Sequence, residues 1–229
     1  MAYVTVKDYV ASTLHSLKSP YAMTPQYITI HNTANDATAR NEIAYMKRNT
    51  ASTSYHVAID DKEAIEAIPF NRNAWHCGDG NGDGNRKSIG IEICYSRSGG
   101  AKYAQAEANA IEYTAQLLKK YGWGIDRVRW HRDWSGKNCP HRILDEGRSA
   151  AVRKAIADRL AELTKPKTEV AGVTNEPQLN ADQEAVRKKA MELGITDGKN
   201  PFRNVNQYYV WNAMIPFVQR LKALENKSK

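Results

Sequence analysis

Two short segments, Y-I-T-I-H-N at residues 27–32 and S-I-G-I-E-I-C-Y at residues 88–95, constrain the fold more than any other part of the chain. In the first, Ile28 and Ile30 alternate with Tyr27, Thr29 and His31; in the second, Ile89, Ile91 and Ile93 alternate with Gly90, Glu92 and Cys94. A period of two with isoleucine on one side is the pattern of a strand that buries that side. The opposite faces then carry His31 and Glu92. A charged carboxylate among isoleucines in a central strand costs free energy unless something pairs with it.

Helical patterns surround these strands. An N-terminal helix is expected to contain Val10, Leu14 and Leu17, and another to cover residues 39–48, followed by a strand at 55–59. A long helix over 104–121 precedes the segment V-R-W-H, and a final helix spans about 147–163. Strands and helices interleaved in this way predict an α/β (α+β) fold, a mixed central β-sheet with helices on both faces. A small helical C-terminal domain is expected beyond it.

His31 is not the sole metal-binding side chain in a directed position. The segment W-H-R-D-W-S-G-K-N-C-P places His131 and Cys139 eight residues apart. Two imidazoles and one thiolate suit tetrahedral zinc, and three protein ligands leave the fourth position open, as a catalytic zinc requires. On these residues the chain reads as a metallohydrolase, with Glu92 as the base beside a metal-held water. Pro140 would fix the backbone next to Cys139 and help aim its sulfur.

The segments I-T-I-H-N-T, S-T-S-Y-H-V, N-A-W-H-C-G-D-G, S-I-G-I-E-I-C and W-H-R-D-W-S-G-K-N-C-P-H together resemble the type 2 N-acetylmuramoyl-L-alanine amidases, zinc peptidoglycan hydrolases, and in particular the phage and prophage endolysins of Bacillus and its relatives. The likeness runs from about residue 27 to about residue 163, with the motifs in family order. It implies that His31, His131 and Cys139 hold Zn2+, that Glu92 is general base or proton shuttle, and that Lys137 and Tyr55 stand beside the metal. Lys137 would face the developing oxyanion, and Tyr55 would donate a hydrogen bond to the same oxygen or orient the water. The bond cut would be the amide between N-acetylmuramic acid and L-alanine of the stem peptide. The alternative is a peptidoglycan-recognition module that keeps the groove and does no chemistry.

Other residues compete for roles. His76, with Trp75 and Asn73, belongs to the glycine-rich stretch N-A-W-H-C-G-D-G-N-G-D-G, which reads as a substrate-side loop because such loops edge clefts. His56 and His141 are expected outside the metal's ligands. The stretch D-G-N-G-D-G-N at 79–85 alternates oxygen ligands as a calcium loop does but lacks the closing bidentate glutamate, and reads as a flexible substrate loop. Three cysteines leave one unpaired in any pairing, so no disulfide scaffold is expected. Cys94 is expected to line the cleft beside Glu92.

At 229 residues, 41% hydrophobic and 25% charged, the chain can bury one full core and a small second unit. No apolar run is long enough to span a membrane. The start, M-A-Y-V-T-V-K-D-Y-V, lacks the basic beginning and apolar core of a signal peptide. With the resemblance, this implies synthesis in a host cytoplasm and action on the bacterial wall after membrane permeabilisation. The net charge of +8 divides into +4 on residues 1–164 and +4 on residues 165–229, so the shorter part is the more basic per residue.

A boundary is expected at 165–180, a stretch with two prolines and no apolar periodicity, giving an amidase domain at 1–164 and a helical domain at 181–229. A helix beginning near residue 181 should end at Gly194, and a second should align Val210, Met214, Phe217, Leu221 and Leu224, shortened or kinked by Pro216. The helix, G-I-T-D-G turn and helix order resembles a single S-layer-homology-type repeat, without that repeat's charged pattern after the turn. Binding to anionic wall polymers through residues 181–229 is the expectation, with a homodimer through these helices as the alternative. The pI near 9.3 also admits nucleic acid, but no reading-helix motif is present, and none is expected as a partner.

Overall fold

A computed structural model describes residues 3–165, 181–193, 215, 216, 218 and 219. Six strands, β1 (Val4–Lys7), β2 (Tyr27–Asn32), β3 (Val57–Ile59), β4 (Glu63–Glu66), β5 (Ser88–Ile93) and β6 (Val128–Trp130), form one sheet in the order β1-β4-β3-β5-β2-β6. β3, β5, β2 and β6 run parallel, while β4 is antiparallel to β3 and parallel to β1. The helices are α1 (His15–Lys18), α2 (Ala39–Arg48), α3 (Asp83–Lys87), α4 (Gly100–Tyr121), α5 (Arg132–Ser135), α6 (His141–Asp145), α7 (Ser149–Thr164) and α8 (Ala181–Glu192). The sheet is mixed and helices cover both faces, where the alternating isoleucines by themselves require cover on only one.

Ile28, Ile30, Ile89, Ile91 and Ile93 are all buried. α4 and α7 cover this face: Ile30 and Ile93 meet Ala110, Ile111 and Thr114 of α4 and Val152 and Ile156 of α7. α4 buries Tyr103, Ala106, Ala110, Tyr113 and Leu117, a stripe at alternating spacings of three and four. Full burial of each isoleucine contributes about 2 to 3 kcal/mol. α4 stops where Gly122 adopts φ +67° and donates its N–H to the carbonyls of Leu118 and Lys119, a left-handed cap that a side chain would strain.

The N-terminal segment differs from the helix expected around Val10, Leu14 and Leu17. Val4–Lys7 is a strand, and only a short 3-10 turn and the four-residue α1 follow. V-T-V-K begins with three consecutive β-branched residues, and pairing with β4 decides the conformation. β4 itself, E-A-I-E, escapes sequence reading because acidic residues flank its two buried positions, Ala64 and Ile65.

Contacts divide the chain into residues 1–167 and 168–229. Of the second unit, α8 carries the ion pairs Arg187–Glu184 and Lys189–Glu192. The linker expected at 165–180 and the helix end at Gly194 lie outside the described residues, save Lys165, as does most of the stripe from Val210 to Leu224. No helix among the described residues is long and apolar enough to cross a membrane.

Candidate metal centre and active site

The four parallel strands end together, and the C-terminal ends of parallel strands are where open α/β sheets bind ligands. At that end Glu92 of β5 lies in register with His31 of β2 on one side and with Ala58 of β3 on the other. β6 runs beside β2, with Ile30 paired to Trp130, and the His131 N–H reaches the Ile30 carbonyl at 3.4 Å. Glu92, His31 and His131 therefore form a row across the sheet, on the face opposite the isoleucines.

Cys139 reaches this row from the loop after α5. Its carbonyl accepts from Arg132 N–H at 3.0 Å and its N–H donates to the Lys137 carbonyl at 2.7 Å. Its Sγ accepts from the backbone N–H of Asn32 at 3.5 Å. His31 Nδ1 lies 3.0 Å from His131 Nδ1 and 3.7 Å from Cys139 Sγ, and one donor atom from each residue falls within 4.8 Å of the others. A tetrahedral ion with N and S ligands at about 2.0–2.3 Å sets donors roughly 3.3–3.6 Å apart. Two imidazoles and a thiol at these separations, all buried, are a donor set that fits zinc.

Burial dominates the electrostatics. It holds His31 well below the usual imidazole range, an effect that His76, His131 and Lys137 reinforce. The ring is therefore neutral and free to act as a ligand. Burial likewise pushes the Cys139 thiol up to about 12, Glu92 adding to the rise and Lys137 opposing it, so that a cation binding there must displace a proton. Glu92 is pushed up to about 8, by burial first and Glu42 second, with Lys137 opposing. Its Oε2 is buried with no hydrogen-bond partner among the described residues. A carboxylate poised near neutrality with a free oxygen is equipped to take and return a proton.

Of this row, Glu92 lines a cavity of about 730 Å³, together with Tyr55, Glu42, Asn35, Thr33 and Tyr45 among others. The Tyr55 hydroxyl donates to Glu42 Oε2 at 3.3 Å, and burial with the nearby Glu42 and Glu92 charges raises the phenol further, keeping its proton. Lys137 is exposed, and its charge acts on His31, His131, Glu92 and Cys139 together.

The family model of N-acetylmuramoyl-L-alanine amidases matches residues 21–142, which span His31, Glu92, His131 and Cys139. The chain belongs to this amidase family. N-acetylmuramoyl-L-alanine amidase CwlA of Bacillus subtilis (strain 168) is 55% identical over 88% of this chain and 74% of its own length. XlyB of the same organism is 63% identical over 70% of this chain, which spans about half (51%) of that relative. Among solved structures, PlyL aligns with a TM-score of 0.67 and 52% identity over 69% of this chain and 99% of its own. The PlyG catalytic domain aligns at 0.66 and 51%, over 71% and 98%.

The amidase fold places the glycine-rich stretch differently from its sequence reading. His76 is buried under His31, with Nδ1 2.9 Å from His31 Nε2, and Asn73 is fully buried, accepting from the Tyr21 N–H at 2.8 Å. Trp75 packs edge-on against Tyr21. None of the three lines the cavity beside Glu92. Nor is the 79–85 loop built as a flexible one: Asp79 accepts from the N–H groups of Gly84 and Asn85, and Asn85 Oδ1 accepts from those of His76 and Cys77. Cys94 lies just past the end of β5 and packs in the core rather than lining the cleft. All three cysteines are unpaired thiols.

Glu42 is a charged, buried cavity residue that sequence reading missed. It belongs to the stripe Ala39, Glu42, Ile43 and Met46 that α2 buries. A carboxylate inside an apolar stripe was the available signal.

Proposed function

We propose that this amidase cleaves the amide between N-acetylmuramic acid and L-alanine with a zinc ion held by His31, His131 and Cys139. The convergence of these three donors beside Glu92, which lines the cavity, carries the reading. When bound, zinc would polarise the scissile carbonyl and lower the pKa of water. Glu92, with its unpartnered Oε2, takes the proton of the attacking water and returns one to the leaving amine of L-alanine. Lys137 supplies positive charge where the oxyanion develops, and the protonated Tyr55 hydroxyl, on the cavity wall, turns its one hydrogen from Glu42 to that oxygen as charge develops there. Glu42 orients that hydroxyl and raises the proton affinity of Glu92. The amidase relatives support a peptidoglycan substrate; binding of residues 181–229 to anionic wall polymers is proposed from their excess of basic residues alone.

Digestion of purified Gram-positive sacculi, with and without a zinc chelator, tests the reading. New N-terminal alanine that disappears with chelator and returns with zinc is expected, without new reducing sugar ends. Sugar ends would show a different bond, and alanine release indifferent to chelator would remove the metal.

A further inference from the structure

His31 has two ring nitrogens, and only one can face a metal. Nδ1 points to His131 and Cys139, while Nε2 lies 2.9 Å from Nδ1 of the buried His76. The protons follow from the far end of this contact. His76 Nε2 lies 3.3 Å from the Ser88 carbonyl, which can only accept, so Nε2 carries the hydrogen and Nδ1 of a neutral His76 is bare. His31 must then donate from Nε2, which leaves the lone pair on Nδ1, the atom that faces the other two ligands.

The surroundings of His76 are built to hold its ring in that place. The ring lies on Gly90 so closely that a Cβ there would sit 2.7–2.8 Å from His76 Nδ1, Cε1 and Cγ. Its backbone N–H is fixed at 2.8 Å by Asn85 Oδ1, whose own amide donates to the Gly80 carbonyl at 2.9 Å. Cys77 Sγ also reaches His76 Nδ1, at 3.1 Å, as a weaker donor on the same lone pair.

We infer that His76 is a positioning residue: by accepting from His31 Nε2–H it fixes the tautomer and ring angle that present His31 Nδ1 to the metal. Such partners of metal-binding histidines typically govern metal affinity by about 10- to 100-fold. The inference rests on the metal reading above and adds the residue that aims its ligand.

The full chain tests it by two measurements. Long-range ¹⁵N–¹H correlation spectra of the zinc-loaded wild type should show His31 protonated at Nε2; protonation at Nδ1 would overturn the proposal. Zinc affinity is then measured against a chromophoric chelator for wild type, H76L and H76N, with thermal melts monitoring folding. The leucine variant should bind zinc at least about tenfold more weakly. Asparagine, which sets an amide oxygen near the position of Nδ1, should recover most of that loss. Equal affinity in wild type and H76L, or equal loss in H76L and H76N, would overturn it. A second equivalent of zinc in the wild type, lost in both H76L and C77A, would make His76 a ligand and also overturn it. Failure of the metal reading itself would appear separately, as wild-type affinity that H31A leaves unchanged.

Discussion

His56 has both ring nitrogens committed beneath the site: Nδ1 accepts from the Gly90 N–H and Nε2 donates to the Arg72 carbonyl, each at 2.9 Å. Burial lowers it from 6.5 to about 4, the bond to Arg72 opposing the shift only in part. The unfolded chain therefore binds a proton between pH 6.5 and 4 that the folded chain refuses. Stability contributed by neutral His56 is whole above pH 6.5 and is lost as pH falls towards 4, by up to about 3 kcal/mol. Glu92 works in the opposite sense: its folded value, about 8 against 4.5, gives stability that is present at low pH and lost as pH rises through that interval. The two slopes oppose each other, so differences between variants are the informative quantity. In chelator-treated protein, the urea midpoint gap between wild type and His56→Gln should narrow as pH drops from 7 to 4; a constant gap would remove His56 from the acid response. Relative to wild type, Glu92→Gln should gain stability as pH rises from 4.5 to 8. Its turnover on sacculi should fall by about 10²- to 10⁴-fold while zinc content stays the same, and near-normal turnover would discard Glu92 as the base. The proposed ligands and Glu92 were legible because each is a polar residue on an otherwise apolar strand or in a short, distinctive segment. His76 was legible only as a polar histidine, since nothing local tells that Gly90 of β5, rather than solvent, receives its ring.

At the scale of elements, β5 serves both faces of the sheet at once. Ile89, Ile91 and Ile93 build the core under α4, while Gly90 and Glu92 build the site. Gly90 is the element's tightest point, clamped to His56 through both its N–H and its carbonyl, with the His76 ring against its Cα. Gly90→Ala is therefore expected to displace a rigid ring rather than a flexible chain end. A loss of about 1–3 kcal/mol in stability should come with weaker zinc binding, because the displaced ring is the one that contacts His31. Chelator competition and urea melts on the same protein would check both, and a destabilised variant with unaltered zinc affinity would uncouple Gly90 from the centre. The strands β2 and β5 were readable because their isoleucines all face one side, a period of two, although both of their faces are buried. β1 and β4 were not, since an edge strand such as V-T-V-K exposes Val4 and Lys7, and E-A-I-E is decided by pairing across the sheet rather than by its own composition.

The whole chain joins a folded amidase unit to a shorter, more basic segment, with 11 basic and 7 acidic residues in 165–229 against 22 and 18 in 1–164. Charge of that kind attracts a polyanion over about a Debye length, roughly 8 Å at physiological ionic strength. A wall carrying anionic polymers is such a surface, and attachment to it affects access to an insoluble substrate without altering the chemistry at the sheet. The PlyG catalytic domain, solved alone, corresponds to 71% of this chain, so residues 1–165 are expected to fold by themselves. That fragment should cleave a soluble muramoyl-peptide at a rate within about twofold of the full chain, because none of its proposed ligands or proton-transfer groups lies beyond residue 139. On intact sacculi it should sediment poorly with the wall and lyse more slowly, and the full chain's advantage should shrink as salt rises. Cosedimentation of both proteins at low and high salt, read beside the soluble-substrate rates, separates attachment from catalysis. Equal wall binding by fragment and full chain, at every salt concentration, would assign residues 181–229 some role other than attachment to the wall.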